Sequence, residues 1–472
     1  MRRLFPLAAF SMLAASCTVG AAEPELSPAP AATADAAHSG PTATIMTSST
    51  TTTPASSTAP TTSAPASTSP PPTSEPAPVD VDADDCAAGR SDLEIALEAP
   101  PQELSDRLAF VLASSQWAGV DRTISVWVEG YGEVVAEQPD LALLPASNQK
   151  ILTAAGAALL LDDDHRFVTS VHQAGDDLLL VGGGDPTLAR IGDHSLQELA
   201  RQVHSAGVES IDRVIVDTAH FEDAVAAPGW LDYQMPAYVG PMSALMVDDN
   251  RYRTDDEYVA DAATANGQLF AFLLAQEGIE VRGAAERGVL ETDTPRLAQV
   301  ESAPVSELVV AMMTNSDNEV AESLVREMGG GSTVDGLARI EQAVAEWCLG
   351  LEGVNGDGSG LGRASFRSAR EWRRLLQVID EQPWGEAFRA SLAVAGRTGT
   401  LTGRFDDTAA EGAVQAKTGS IFGGRSLSGY TTTADGRDVV FSIVTNGSTD
   451  AARASRDAID GLVVALVTPL AG

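Results

Sequence analysis

A long proline-rich segment limits where this chain can fold. Between Ala21 and about Asp85 the 472-residue sequence consists mostly of Ala, Pro, Ser and Thr, and 12 of its 25 prolines lie between Pro24 and Pro78. A segment of this composition has too few large apolar side chains to build a core. We therefore predict that residues 18–85 form a disordered tether, and that the residues after them form the folded part, which is long enough for more than one domain.

The N-terminus has the features of an export signal. Residues 1–3 (MRR) precede an apolar stretch, Leu4 to Ala15, that is too short for an ordinary membrane span. Small residues precede Cys17, as in a bacterial lipoprotein processing site, so residues 1–17 are predicted to be a signal peptide and Cys17 is the lipidation candidate. Ordinary cleavage near Ala22 is the alternative. We expect an exported protein of the cell envelope, lipid-anchored or secreted, that touches the membrane only through this lipid.

The charge balance excludes several classes of protein. There are 66 acidic and 30 basic residues, and the formal net charge of −36 disfavours nucleic-acid binding because phosphates repel such a surface. Only two of the bases are lysines, Lys150 and Lys417, and neither follows the Gly that a Walker phosphate loop requires. The six histidines show no zinc-ligand spacing, so we predict no metal site and no cofactor.

The three cysteines allow one cross-link. If Cys17 carries lipid, Cys86 and Cys348 remain as an even pair in an exported protein, which makes them disulfide candidates. Two free buried thiols are the alternative, and the spacing leaves this open.

The folded part shows the patterns of a mixed α/β (α+β) protein. Residues 123–130 and 133–137 are predicted strands, and an apolar helix runs from Ser147 to about Leu161. Three strand-like runs at the C-terminal end predict an antiparallel meander covered by a last helix: 413–421, 426–433 and 438–446, then 450–467. We predict an antiparallel sheet flanked by helices, formed by residues 86–171 and 300–472 and split by an inserted sheet-and-helix domain, residues 172–299.

Ser147 and Lys150 form the first chemical motif. Their i, i+3 spacing places both side chains on one helix face. A serine hydroxyl becomes a good nucleophile when a base takes its proton, and an amine can do so if burial and a second cation, here Lys417, lower its pKa. A helix start at Ser147 would also aim backbone N–H groups at a developing oxyanion. The alternative is a helix-terminal Ser with an exposed Lys behind it.

Residues 316–318 (SDN) form the second motif, at the start of another helix. Ser316 would relay a proton, and Asn318 would bond both the base and a substrate amide. The alternative is structural, because Ser316 with Glu319 also matches a capping box.

Residues 417–419 (KTG) form the third motif, on a predicted strand. Lys417 would attract a substrate carboxylate, Thr418 would bond it, and Gly419 would let the substrate approach the backbone. A strand-end turn is the alternative. A chance match to all three motifs in this order is far rarer than a match to one, and together they are the active-serine signature of penicillin-binding proteins and class A β-lactamases.

Further stretches narrow the resemblance. They are 145–150 (PASNQK), 165–169 (HRFVT), 182–188 (GGGDPTL), 228–230 (PGW), 355–361 (NGDGSGL) and 395–401 (AGRTGTL). With them the chain resembles the D-alanyl-D-alanine carboxypeptidase/endopeptidases of the penicillin-binding protein 4 type, the class C low-molecular-mass group. The resemblance implies a penicillin-binding protein/β-lactamase-like transpeptidase fold with an insertion between the first two motifs, for which the chain has room between Ser147 and Ser316.

The resemblance also implies roles for individual residues. Ser147 would be the acylated nucleophile and Lys150 its base, with Ser316, Asn318 and Lys417 as proton-relay and positioning groups. Thr418 would bind the terminal carboxylate, and the backbone N–H groups of Ser147 and Ser420 would form the oxyanion hole. Arg363 and Asp232 would contact the diaminopimelate end of the stem peptide. Gly362 stands where the family usually has Ser, and Thr398 where relatives often carry Asp.

The implied function is a serine-type D-Ala-D-Ala carboxypeptidase/endopeptidase. Its partners would be peptidoglycan stem peptides ending in D-Ala-D-Ala or D-Ala cross-links, and β-lactam antibiotics would acylate it covalently. A β-lactamase-like hydrolase is one alternative, but no Glu between Ser316 and Lys417 has the Asn four residues on with which class A enzymes deacylate. A catalytically silent, tethered wall-binding protein is the other, and the intact Ser147 and Lys150 argue against it.

Overall fold

The computed structural model describes residues 86, 90–235, 237–251, 253–254, 257–258, 261–291 and 294–470. All of them belong to one compact unit, Pro76–Gly472. The predicted signal peptide with Cys17 and the predicted tether lie outside the described residues. Within the described ranges, no helix combines the length and the hydropathy that a membrane span needs.

The helices and strands alternate irregularly along the chain. The α-helices are α1 (Gln102–Leu112), α2 (Gln149–Leu160), α3 (Leu196–Ser205), α4 (Ala262–Gln276), α5 (Val305–Asn315), α6 (Asn318–Met328), α7 (Thr333–Ala345), α8 (Ala369–Glu381), α9 (Gly385–Ser391) and α10 (Thr449–Val467). The strands are β1 (Val120–Val128), β2 (Gly132–Glu137), β3 (Val168–Ala174), β4 (Asp177–Val181), β5 (Ser210–Ile211), β6 (Val214–Asp217), β7 (Arg253–Thr254), β8 (Glu257–Tyr258), β9 (Glu280–Val281), β10 (Glu286–Arg287), β11 (Arg296–Glu301), β12 (Ala393–Val394), β13 (Gln415–Ile421), β14 (Gly424–Thr432) and β15 (Asp438–Gly447).

A six-stranded antiparallel sheet forms the centre of the molecule. Its order is β12-β13-β14-β15-β1-β2, so the predicted C-terminal meander is present. The N-terminal hairpin of β1 and β2 joins the meander through β15, where Ile124 lies opposite Ile443. Residues far apart in sequence therefore build one continuous sheet.

Helices cover both faces of this sheet. Successive side chains of a strand point to opposite faces, and apolar side chains of β15 lie on both of them. Val439, Phe441 and Ile443 of β15 pack in the same apolar cluster as Leu462 of α10. Val440 and Val444 point the other way, into the cluster formed by α2 and α5 to α9. This is the predicted class of an antiparallel sheet flanked by helices.

A second sheet lies between the first two motifs in sequence. Its order is β10-β6-β4-β3-β11, with β4 and β10 parallel to β6 and the other pairs antiparallel. Helices α3 and α4 supply the apolar residues that cover it. The sheet begins at Val168 and ends at Glu301, slightly outside the predicted insertion of residues 172–299. The domain limits themselves stay a prediction.

Cys86 is joined to Cys348 by a disulfide that spans 262 residues of sequence. Cys348 follows α7, which packs against α2. The described structure therefore has the cross-linked form of this pair rather than two free thiols.

Removing this disulfide should destabilise the protein. A cross-link that closes so long a loop restricts the unfolded chain, so the double variant Cys86→Ser/Cys348→Ser should lose about 2–4 kcal/mol of unfolding free energy. Denaturant titration with and without a reductant measures the loss. The wild-type protein should respond to the reductant and the double variant should not; a wild-type protein of unchanged stability after complete reduction would contradict the prediction.

Candidate active site

Ser147 lies in a tight turn that leads into α2. A short 3-10 helix, Ala146–Asn148, forms this turn, and Ala146 has a positive φ of 49°. Two hydroxyls of β14 hold it: Ser426 Oγ donates to the Pro145 carbonyl at 2.7 Å, and Asn148 Nδ2 donates to Ser428 Oγ. The central sheet thus fixes the position of Ser147.

Gly419 lets β13 approach this turn. A Cβ atom on Gly419 would lie 2.1 Å from Ser426 Oγ and 2.8 Å from the Pro145 carbonyl oxygen. This close packing is a further reason for a glycine here, and the approach of substrate to the same backbone stays a prediction. The missing side chain of Gly419 makes room for the turn that carries Ser147.

Lys150 is buried behind Ser147. Its Nζ lies 3.2 Å from Ser147 Oγ and donates at 2.7 Å both to Asn318 Oδ1 and to the Ser359 carbonyl. The side chain is 0% exposed, so the alternative of an exposed lysine is wrong. Burial lowers the pKa of Lys150 from 10.5 to about 8, against the opposite effect of nearby carboxylates, of which Asp357 is the strongest. A neutral amine beside the hydroxyl is accessible near neutral pH.

The second motif connects two helices and approaches Lys150. Ser316 ends α5 with a positive φ of 67°. Asp317 caps α6, because its Oδ1 accepts the Val320 N–H at 2.9 Å. The capping-box alternative for Ser316 is therefore wrong, and the Glu319 carboxylate instead pairs with Arg251.

Asn318 has the expected hydrogen bond to Lys150. Its Oδ1 accepts from Lys150, and its Nδ2 donates to the Tyr238 carbonyl at 2.8 Å. The amide thereby links Lys150 to the loop between β6 and β7.

Lys417 is buried on β13. Its Nζ donates to the Thr418 carbonyl at 3.2 Å. Burial lowers its pKa well below the ordinary value, and repulsion from Lys150 lowers it further. Burial, one of the two predicted causes, is the largest cause of the lowered pKa at both lysines, and the repulsion between them is assigned to Lys417. Because two buried ammonium groups repel each other, we expect the pair to carry fewer than two positive charges near neutral pH.

The end of β13 has a polar rim. Thr418 is 8% exposed, and its Oγ1 donates to Thr400 Oγ1 at 2.7 Å. Ser420 is exposed opposite Arg425. In the neighbouring loop Thr398 Oγ1 accepts the Val394 N–H at 2.9 Å, so that loop keeps a side-chain hydrogen bond without an Asp at this position.

Arg363 and Asp232 lie beside the turn that follows β13. Arg363 Nη2 donates to the Phe422 carbonyl at 2.6 Å. The Phe422 ring makes an edge contact with Tyr233, at 5.4 Å between centroids, and Tyr233 follows the exposed Asp232. The structure brings both predicted residues to one rim, although it shows no hydrogen bond of the Asp232 carboxylate among the described residues.

Known proteins share this sequence and fold. The model of the family described as D-Ala-D-Ala carboxypeptidase 3 (S13) matches residues 124–258 and 256–466. The chain belongs to this S13 family. It is 32% identical to a D-alanyl-D-alanine carboxypeptidase of Actinomadura sp. (strain R39), over 67% of this chain and 76% of the relative. It is also 32% identical to carboxypeptidase DacB of Mycolicibacterium smegmatis, over 68% of this chain and 75% of the relative.

The fold matches that of a solved structure. Penicillin binding protein 4 (dacB) from Haemophilus influenzae aligns with a TM-score of 0.64 and 21% identity, covering 72% of this chain and 93% of that one. The predicted family resemblance and fold class are confirmed, and so is the predicted function of a serine-type D-Ala-D-Ala carboxypeptidase, a peptidase hydrolase.

Sequence reasoning named residues 355–361 of this S13 family member but missed that this loop supports Lys150. Asp357 accepts the N–H groups of Gly360 at 3.0 Å and Gly362 at 2.7 Å, and the indole N–H of Trp230 at 3.0 Å. The loop thereby presents the Ser359 carbonyl to Lys150. The glycine-rich run around Asp357 was the available signal, but a backbone carbonyl leaves none of its own.

Proposed function

We propose that Ser147 is the nucleophile of this carboxypeptidase and Lys150 is its base. The observation that carries the proposal is the 3.2 Å approach of a buried amine to the Ser147 hydroxyl. Lys150 takes the hydroxyl proton as Ser147 Oγ bonds to the carbonyl carbon of the D-Ala-D-Ala amide. The C–N bond then breaks, the terminal D-Ala leaves as an amine with the proton, and water later hydrolyses the ester and restores Ser147.

The other motif residues would position the substrate and move the proton. Ser316 would pass the proton to the leaving amine, and Asn318 would orient Lys150 and bond the substrate amide. Thr418, with Lys417 beneath it, would bind the terminal carboxylate. The backbone N–H groups of Ser147 and Ser420 would stabilise the oxyanion.

The substrate in this proposal is a stem peptide that ends in D-Ala-D-Ala, or a D-Ala cross-link between two stems. Diaminopimelate carries an ammonium and a carboxylate at its free end, so Asp232 and Arg363 offer the complementary charges at one rim. A β-lactam offers a strained amide to the same serine and would form a stable ester. Support comes from the Haemophilus influenzae protein, whose structure was solved in complex with a β-lactam.

The location follows from the substrate. Peptidoglycan lies outside the cytoplasmic membrane, so we propose that the protein acts in the cell envelope. The finer proposal is an anchor in which lipid on Cys17 and the segment of residues 18–85 hold the enzyme to the outer face of the membrane.

A labelled penicillin tests the nucleophile. The wild-type protein should gain one penicilloyl mass on the peptide that contains Ser147, and Ser147→Ala should gain none. Ser205→Ala, a matched change at an exposed serine of α3, should label as the wild type does. Folded wild-type protein without an adduct, or an adduct on another residue, would overturn the proposal.

The lifetime of the adduct separates this enzyme from a β-lactamase. The absence of a Glu with an Asn four residues on, between Ser316 and Lys417, favours slow deacylation. Rapid turnover of the penicillin would favour the β-lactamase alternative instead.

A further inference from the structure

A second buried carboxylate lies behind the catalytic lysine. Glu322 follows Asn318 by one turn of α6 and is 0% exposed. Its Oε1 accepts the N–H groups of Gly358 at 3.1 Å and Ser359 at 2.8 Å. Its Oε2 is buried and has no hydrogen-bond partner among the described residues. A buried carboxylate that is only half satisfied costs stability, which points to a role other than holding the fold together.

Hydrogen bonds to the backbone of Ser359 connect Glu322 to Lys150. The Ser359 N–H points to Glu322, and the Ser359 carbonyl accepts from Lys150 Nζ at 2.7 Å. On the other side of that carbonyl, the Gly360 N–H of the same peptide group donates to Asp357. Thr153 of α2 also donates to the Gly358 carbonyl, at 2.7 Å. The position of the Ser359 carbonyl therefore depends on Glu322.

The oxygens that hold the Lys150 amine are neutral: a hydroxyl, an amide and a carbonyl. The surrounding charges therefore act from further away. The carboxylates that raise the pKa of Lys150 are Asp357 from the loop and Glu322, Asp317 and Glu319 from the start of α6, while Lys417 faces the site from β13.

Glu322 has a charge environment of its own. Burial and repulsion from Asp357 raise its pKa to about 7, and Arg326, one turn further along α6, opposes this rise. Its charge is therefore sensitive to pH close to the range in which Lys150 titrates.

We propose that Glu322 is a positioning residue of the acylation step: it fixes the Ser359 carbonyl against Lys150, and its charge sets the pH range in which Lys150 accepts the Ser147 proton. This inference rests on the proposed roles of Ser147 and Lys150. The negative charge favours the ammonium form of Lys150, which must lose its proton before it can serve as the base. Glu322 therefore raises the pH at which Lys150 loses its proton and becomes a free amine.

The pH profile of penicillin acylation tests the inference. In the wild-type protein the acylation rate should rise with pH through the pKa of Lys150, about 8. Glu322→Gln keeps an oxygen that can accept both loop N–H groups but removes the charge. The negative charge of Glu322 raises the pKa of Lys150. Removal of that charge should therefore move the rising part of the pH profile, its acid limb, to lower pH by about one unit. The plateau rate at high pH should change little.

Two further variants separate charge from position. Glu327→Gln makes the same change further along α6, where the carboxylate bonds His165 and His220, and should leave the acid limb unmoved. Glu322→Asp keeps the charge but shortens the side chain, so the plateau rate should fall about tenfold while the acid limb stays in place.

The outcomes are distinguishable. A folded Glu322→Gln protein with the wild-type pH profile would overturn the inference. If that variant does not fold, Glu322→Asp decides, because a wild-type plateau rate in it would also overturn the inference. A wild-type protein that forms no adduct would instead contradict the proposed function.

Discussion

Replacement of Lys150 by Arg is expected to abolish acylation of Ser147, with a loss of about 10²–10⁴-fold in rate, the usual contribution of a general base. Arg remains protonated in proteins, so it keeps the charge but cannot take the proton. Lys150→Ala removes the amine without adding bulk and should lose as much. The acylation rate with a chromogenic β-lactam measures the effect, and thermal unfolding shows whether each variant is folded.

Lys417→Arg is the matched control. It changes the other lysine of the chain in the same way. In the proposed mechanism Lys417 acts as a cation near the substrate carboxylate, a role that Arg can partly fulfil, so some acylation should remain. Near-wild-type acylation of Lys150→Arg would show that another residue is the base. An equal loss of acylation rate in folded Lys150→Arg and folded Lys417→Arg would refute the expected difference between the two lysines.

Gly360→Ala should lower the free energy of unfolding by about 3–5 kcal/mol, the upper end of the range for single substitutions. Gly360 has a φ of +78°, and a Cβ atom there would lie 1.9 Å from the Ala146 carbonyl oxygen and 2.5 Å from its carbon. These are backbone atoms of the turn that carries Ser147, so they cannot move aside without also displacing Ser147. The extent of penicillin labelling should fall as the folded fraction of the protein falls.

Gly436→Ala separates the clash from the backbone strain. Gly436 has a φ of +86°, and a Cβ atom there would meet nothing within 4 Å. This variant should lose only about 1–2 kcal/mol, the cost of a left-handed conformation for a non-glycine residue, and should label normally. Chemical denaturation of both variants measures the difference; equal losses would show that the approach of Gly360 to Ala146 does not matter.

The approach of Lys150 to Ser147 could be predicted because the two residues are close in sequence. Ser147 and Lys150 are one helical turn apart, and any helix over these residues brings the two side chains together. The bond between Asn318 and Lys150 is not local, but it could be expected because the combination of three short motifs is specific. Cys86 and Cys348 could be named as a candidate pair because the chain has only three cysteines.

Other features depend on packing that sequence patterns do not record. Glu322 reads as a charged position of an amphipathic helix, and only the loop that lies over α6 makes it a buried carboxylate. The Ser359 carbonyl belongs to the backbone and has no side-chain signal. Gly419 matched the motif, but its close contact with the Pro145 turn could not be predicted from it. The extent to which the two lysines are buried, which is the largest cause of their lowered pKa values, also depends on this packing.

The order of strands in the central sheet has a consequence for when the enzyme becomes active. β1 pairs with β2 on one side and with β15, Asp438–Gly447, on the other, and β13 with Lys417 lies against the Ser147 turn as part of the same sheet. A growing chain that already contains Ser147 and Lys150 would still lack the strand that shapes the site. Such long-range pairing is slow and comes late in folding. The hydrolase would thus be latent during its own synthesis and become competent only after β13, β14 and β15 have been made and paired.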